Sequence, residues 1–272
     1  MSFDTDGFFS PDMDPFRVAV TSQVPTKAWF DYAHDLNRFA LAMVGGLDMP
    51  SSDDRQRFTL AALFIRTHQS AQAALILAER GMIGDARNVV RSAAEGVIAM
   101  YGLAADHGFI DSLIADYKMS QATLAGIVLD QPDFRSSYAP VEMAQMEETR
   151  REAKALQEST GKKKQQLIIK WDQVARQHCP HVYNLLYRPL SMDGTHTNID
   201  AINRHVQTNP SGRVIGLKGG PDAEGIPETL KFATLVLLHA IEPMSRAFPQ
   251  EGFEDRIGQF LKRFRELPGS GE

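Results

Sequence analysis

The amino-acid sequence predicts an all-α protein: an antiparallel helical bundle of about seven to nine helices with a small β-hairpin insertion. Three observations predict it. Apolar residues recur at i, i+3 and i+4 along most of the chain. Glycines and prolines fall at the ends of those runs. One stretch, 201–220, changes character: HVQTN, then Pro210-Ser211-Gly212, then RVIGLK, a pattern that predicts a hairpin.

The chain divides into a flexible N-terminal arm, 1–25, and a single helical domain, 26–268. Pro11, Pro15 and Pro25 stand among acidic and small residues in the arm. Thr26 then caps a helix with Trp29, Tyr32, Leu36, Phe39, Ala40 and Met43 on its inner face, and Gly45-Gly46 ends it. Ser51-Ser52-Asp53-Asp54 opens a long helix whose stripe is Leu60, Phe64, Ala71, Leu75 and Ala78, and Gly81 stops it. Thr67 and His68 lie on the same helical path, so polar groups sit on or beside the buried face. The next helix starts at Gly84-Asp85 and buries Val90, Ala94, Val97, Ile98, Tyr101 and Ala104. So short a link makes these two helices antiparallel.

A helix over 110–129 follows, with Leu113, Ile114, Tyr117, Leu124 and Ile127 as its stripe, and Gln131-Pro132 breaks it. The segment 141–159 is crowded with both charge signs and reads as a solvated helix. Gly161-Lys162-Lys163-Lys164 lacks the first glycine and the hydroxyl of a phosphate-binding loop, which excludes that reading. Residues 170–190 form two short helices split at Pro180. A strongly apolar helix over 227–248 (Leu230, Leu235, Leu238, Ile241, Met244) and a basic amphipathic helix near 253–267 close the chain.

Bulk properties exclude several function classes. In 272 residues, 43% hydrophobic and 23% charged content is ordinary for a folded protein and argues against disorder. A net charge of −5 gives no global attraction for nucleic acid or anionic lipid, so phosphate binding needs a local basic patch. The single cysteine, Cys179, rules out an internal disulfide and a multi-cysteine metal site. With no signal peptide and no apolar run of about 20 residues, the expected setting is the reducing cytosol, away from membranes.

Two constellations can carry chemistry. Arg87, Arg91 and Glu95 follow i, i+4, i+8 beside the apolar stripe, which places Arg91 and Glu95 at the edge of the core. They read either as an ion pair that sets helix register or as a site, Arg91 binding an anion and Glu95 orienting it or acting as base. The second constellation is YRPLSMDGTH, 187–196, where Pro and Gly predict a turn. Tyr187 and Ser191 are four apart and share a helical face, and His196 titrates near neutrality as a general acid or base. Alternatively this is a polar loop whose hydroxyls cap the next helix. His178, His181, His196 and His205 crowd one stretch near Cys179, but they show no recurring ligand spacing and no nearby carboxylate pair. No metal and no cofactor are expected.

GMIGDARNVVRSAAEGVIAMYGL, with Arg91-Ser92-x-x-Glu95 inside apolar residues, and YRPLSMDGTH with its Tyr-x-x-x-Ser turn and following His resemble, in order and separation, the bacterial domain-of-unknown-function family five-six-seven-seven. The resemblance spans roughly residues 52–248. That family is similar to the wider HEPN group of helical, often dimeric proteins, many of them metal-independent ribonucleases of toxin and phage-defence systems. The resemblance implies RNA as a partner, a homodimer, and Arg188 with His196 in the Arg-and-His role. Arg176 and His181 also fit an Arg-x4-His spacing, which chance alone supplies in a chain with this many arginines and histidines.

Two functions follow as expectations. In RNA cleavage, His196 is the general acid/base, Arg91 and Arg188 neutralise the phosphate, and Glu95 orients them, with Tyr187, Ser191 and His68 lining the substrate site. In the alternative, the protein is a non-catalytic ligand-binding or regulatory helical protein, and the polar cluster is structural.

Overall fold

The computed structural model describes residues 3–48, 51, 54–192 and 199–270. Helix α1 (Phe3–Asp6), a 3-10 turn over Gly7–Phe9 and α2 (Met13–Ser22) occupy the segment expected as an arm. That segment is helical, with Met13 and Val20 buried and the Phe8 carbonyl accepting from Arg80 Nη1 at 2.8 Å. Helix α3 (Thr26–Gly45) follows. Thr26 is its first turn rather than its cap, and its hydroxyl donates to the Gln23 carbonyl at 2.8 Å.

Asp54 caps α4 (Arg55–Glu79) by accepting from the Arg57 N–H at 3.0 Å. Gly81, at φ +72°, turns the chain into α5 (Ile83–Ala105). The two helices are antiparallel: Gln56, near the start of α4, donates to the Leu103 carbonyl near the end of α5, and Thr67 faces Gly96. Leu60, Phe64, Ala71 and Ala78 of α4 bury with Val90, Ala94, Val97 and Ile98 of α5 in one core.

Helices α6 (Phe109–Asp130), α7 (Pro132–Arg135), α8 (Pro140–Thr160) and α9 (Lys164–Leu167) come next. Here an expectation is corrected. The face of α6 carrying Ile114, Tyr117, Leu124 and Ile127 is exposed. Helix α6 instead pairs with α8 through Ala115, Met119 and Ala153, with Leu167, in a small cluster separate from the main core. Small side chains let those helices approach, and the large apolar stripe faces elsewhere.

After α10 (Trp171–His178), Pro180 starts a helical run: α11 (Pro180–Val182), a π-helical stretch Tyr183–Tyr187, and α12 (Arg188–Leu190). The turn expected from Tyr187 onward is therefore helical as far as Met192. Pro189 lacks an N–H for the Leu185 carbonyl, and its ring would strike that oxygen in a regular α-turn. The wider π-turn accommodates it.

Helix α13 (Ile199–Asn203) leads to the antiparallel hairpin β1 (Val206–Thr208) and β2 (Val214–Leu217), in register Val206↔Leu217 with a bulge after Gln207. Asn209 Oδ1 accepts from the Ser211 and Arg213 N–H groups and Gly212 takes φ +79°, which closes the loop. Helix α14 (Ile226–Ala247) packs against α3, α4 and α5, placing Leu230, Leu237 and Ile241 in the core. Helix α15 (Phe253–Glu266) covers α3 through an aromatic cluster: Phe260 and Phe264 meet Tyr32, and Phe264 meets Trp29, edge to face at 5.5–6.0 Å. Among the described residues, no helix is long and apolar enough to cross a membrane.

Candidate functional site

Arg91 projects from α5 onto α12 and the π-helical stretch before it. Its Nε donates to Ser191 Oγ at 3.0 Å, and Nη2 donates to Tyr187 Oη at 3.1 Å and pairs with Glu95 at 3.2 Å. The guanidinium also lies 5.0 Å from the Tyr187 ring centroid. Tyr187 in turn donates to Glu95 Oε1 at 3.3 Å, and Ser191 donates to the Tyr187 carbonyl at 2.7 Å. Burial pushes the Tyr187 hydroxyl pKa up, Arg91 opposes the shift and Glu95 adds to it. Four polar side chains thus close on one another with balanced charge. Chemically this is a clasp: it fastens α12 to α5 and immobilises the chain just before residue 193.

A second polar centre lies toward the C-terminal end of α5. Tyr101 donates to Glu242 Oε2 at 2.5 Å, and Arg246 donates to Glu242 Oε1 at 2.6 Å. The His181 and His239 rings lie 4.7 Å apart, and His181 meets the Tyr101 ring edge-on at 5.8 Å. One ring nitrogen from each histidine and one Glu242 oxygen all lie within 4.8 Å of one another. Burial, with His181 adding to it, lowers the His239 pKa to about 4, so its imidazole is neutral at physiological pH. Burial drives the Tyr101 hydroxyl pKa strongly upward, and Glu242 reinforces it. The buried Cys179 thiol is pushed up to about 12, chiefly by burial and then by Glu242. Pro243 has no N–H for the His239 carbonyl, so the α14 ladder lacks a rung at this centre.

The centre opens into a cavity of about 770 Å³ whose wall includes Tyr101, His181, Glu242, Arg246, Arg55 and Arg57. Leu60, Ile110 and Pro243 make its apolar part. Arg57 stacks on Phe248 at 4.5 Å, and its Nε is buried without a hydrogen-bond partner. A volume of this size with a few convergent polar groups matches a small-molecule site.

The residues singled out in the sequence fall in three places. Arg91, Glu95, Tyr187 and Ser191 meet in the clasp. Arg188 is exposed on α12. His68 is buried between α4 and α3, where its Nε2 bonds Asn37 Oδ1 at 2.7 Å, and among the described residues it makes no hydrogen bond to the clasp. His196 lies outside the described residues. The His181–His239–Glu242 group was missed. Sequence spacing groups His181 with its chain neighbours, while its spatial partners come from α14. The available signal was His239-x-x-Glu242, one turn apart inside a strongly apolar helix.

Fold and site together define an all-α protein with a polar clasp and a separate polar-walled cavity. Over residues 57–213 the chain matches DUF5677, a family of unknown function, and it belongs to that family. The match takes in the clasp, Tyr101 and His181, whereas His239 and Glu242 fall beyond it. No curated protein and no solved structure matches the chain.

Proposed function

We propose that the protein binds a small, partly apolar organic anion in the 770 Å³ cavity. The observation that carries this reading is Arg57, whose buried Nε lacks a hydrogen-bond partner, at the wall of a cavity that also gathers Tyr101, His181, Arg55 and the Glu242–Arg246 pair around apolar residues. Arginines give a planar, bidentate grip on carboxylate or phosphate, and the histidine and tyrosine fix orientation. The clasp, on this reading, is structural, because Arg91 is engaged by Ser191, Tyr187 and Glu95.

The probe is 8-anilinonaphthalene-1-sulfonate, an apolar anion that fluoresces in dry sites. Saturable binding at one site per chain is expected, lost in Ala104→Trp, which narrows the cavity, and weakened in Arg57→Ala. Leu124→Lys, on the exposed stripe of α6, is expected to leave it unchanged. Equal binding by wild type and Ala104→Trp rules the cavity out.

A second reading has one observation in its favour: the clasp anchors Tyr187 and Ser191 immediately before the segment bearing His196, beside the exposed Arg188. With the HEPN resemblance, this supports metal-independent RNA cleavage, His196 as general acid/base and Arg188 on the phosphate. Incubation with total RNA against His196→Ala tests it. Equal, negligible cleavage by both proteins eliminates it.

A further inference from the structure

We infer that His181, His239 and Glu242 bind a divalent first-row transition-metal ion, with zinc the best match to the donor set. The inference deepens the cavity reading and rests on it for the ligand that completes the coordination shell. Two imidazoles and a carboxylate are a recurring catalytic zinc set. His239 and Glu242 are one turn apart on α14 and so face the same way, while His181 comes from α11.

Three features point to a built site. Neither imidazole makes a hydrogen bond among the described residues, although they sit against each other and beside a carboxylate. Glu242 is held by Tyr101 on one oxygen and Arg246 on the other, the kind of outer support that orients a metal-binding carboxylate. Each oxygen still has lone-pair capacity after accepting one hydrogen bond.

The scale also fits. Tetrahedral zinc with bonds of about 2.0–2.1 Å sets its ligand atoms roughly 3.3 Å apart. The three atoms here lie within 4.8 Å, so modest rotation of the exposed His181 and its partners closes the shell. His181 and Glu242 line the cavity and His239 does not, which puts the open coordination position on the cavity side. A dication with two neutral imidazoles and one carboxylate keeps net positive charge, complementary to an anionic occupant.

The test uses the full chain, treated with EDTA and moved to metal-free buffer. Zinc is titrated calorimetrically, and cobalt(II) is followed by its visible absorption. One ion per chain is expected. Glu242→Gln and His181→Ala should abolish the zinc isotherm, Tyr101→Phe should weaken it by about 10–100-fold, and His34→Ala, an exposed histidine of α3 away from the cavity, should match wild type. Glu242→Gln preserves side-chain shape, so circular dichroism of that variant separates lost binding from lost folding. Absence of zinc uptake by wild type, or equal uptake by Glu242→Gln and His181→Ala, overturns the inference. Zinc uptake without fluorescent-probe binding leaves the metal site standing and removes the cavity reading. Probe binding without zinc does the reverse.

Discussion

Arg87 and Arg91 stand one turn apart on α5 and hold different helices to it. Arg87 reaches α14, donating to Thr229 Oγ1 at 3.0 Å and Glu228 Oε2 at 2.5 Å, with its guanidinium 5.7 Å from the Phe232 ring centroid. Arg91 reaches the other way, to Tyr187 and Ser191. One ladder of charges therefore positions both the helix that supplies His239 and Glu242 and the segment that leads to His196. Residues in such a position govern function through architecture, whichever site carries the chemistry.

The clasp should be measurable as coupling. Arg91→Ala removes charged hydrogen bonds from a side chain 19% exposed and leaves Glu95 facing Tyr187, so a loss of roughly 1–3 kcal/mol is expected. Tyr187→Phe should cost about 1 kcal/mol. In a denaturant-unfolding double-mutant cycle the two losses should fall short of additive by about 0.5 kcal/mol or more. Strict additivity means that the contact contributes nothing.

Cys179 should be inert in the native protein. It is fully buried, and its thiol pKa is pushed up to about 12, so both access and thiolate are lacking near neutral pH. Ellman's reagent should label no thiol in native buffer and one per chain in denaturant. Fast stoichiometric labelling of the folded protein would contradict the packing of α10 against α5.

The elements that proved legible are those in which spacing alone decides the outcome. Leu60, Phe64, Ala71 and Ala78 recur on one helical face, and their helix buries that face. Arg91 with Glu95, and Tyr187 with Ser191, are each i, i+4 pairs, so each pair's shared face could be read. Their meeting could not, because it depends on how α12 lies across α5. Tyr117, Leu124 and Ile127 mark the limit: periodicity says which residues share a face and leaves open what covers it. The cavity centre was hidden for a related reason. His239 and Glu242 sit in a run whose apolar neighbours dominate the pattern, and their partner His181 belongs to a distant segment.

His68 predicts a pH dependence. Its pKa is lowered below the ordinary 6.5 by burial, against a smaller opposing effect from the Asn37 hydrogen bond. Below about 6.5 the unfolded chain binds a proton that the folded chain refuses, so this group makes stability fall as pH drops toward the folded pKa. Above about 6.5 it contributes no slope. Unfolding free energies between roughly pH 7.5 and 5.5 should therefore decline more steeply in wild type than in His68→Gln, which keeps a donor for Asn37. Identical slopes would mean that His68 titrates as it does in the unfolded chain.

Gly81 and Gly45 form a contrasting pair. At Gly81 the backbone is left-handed, φ +72°, and an added Cβ would lie 2.7 Å from both the Asp222 nitrogen and Pro221 Cβ. The Asp222 N–H also donates to the Gly81 carbonyl at 3.0 Å, so the turn that reverses α4 into α5 is tied to the approach to α14 and cannot drift to make room. Gly81→Ala combines left-handed strain of about 1–2 kcal/mol with that clash and should destabilise by at least about 2 kcal/mol. Gly45 ends α3 in ordinary helical backbone with open space around it. Gly45→Ala restricts only the unfolded chain and should be neutral or stabilising by up to about 1 kcal/mol. Thermal unfolding of the two variants side by side measures the difference. If Gly81→Ala melts with Gly45→Ala, the α4–α5 turn does not have the geometry described.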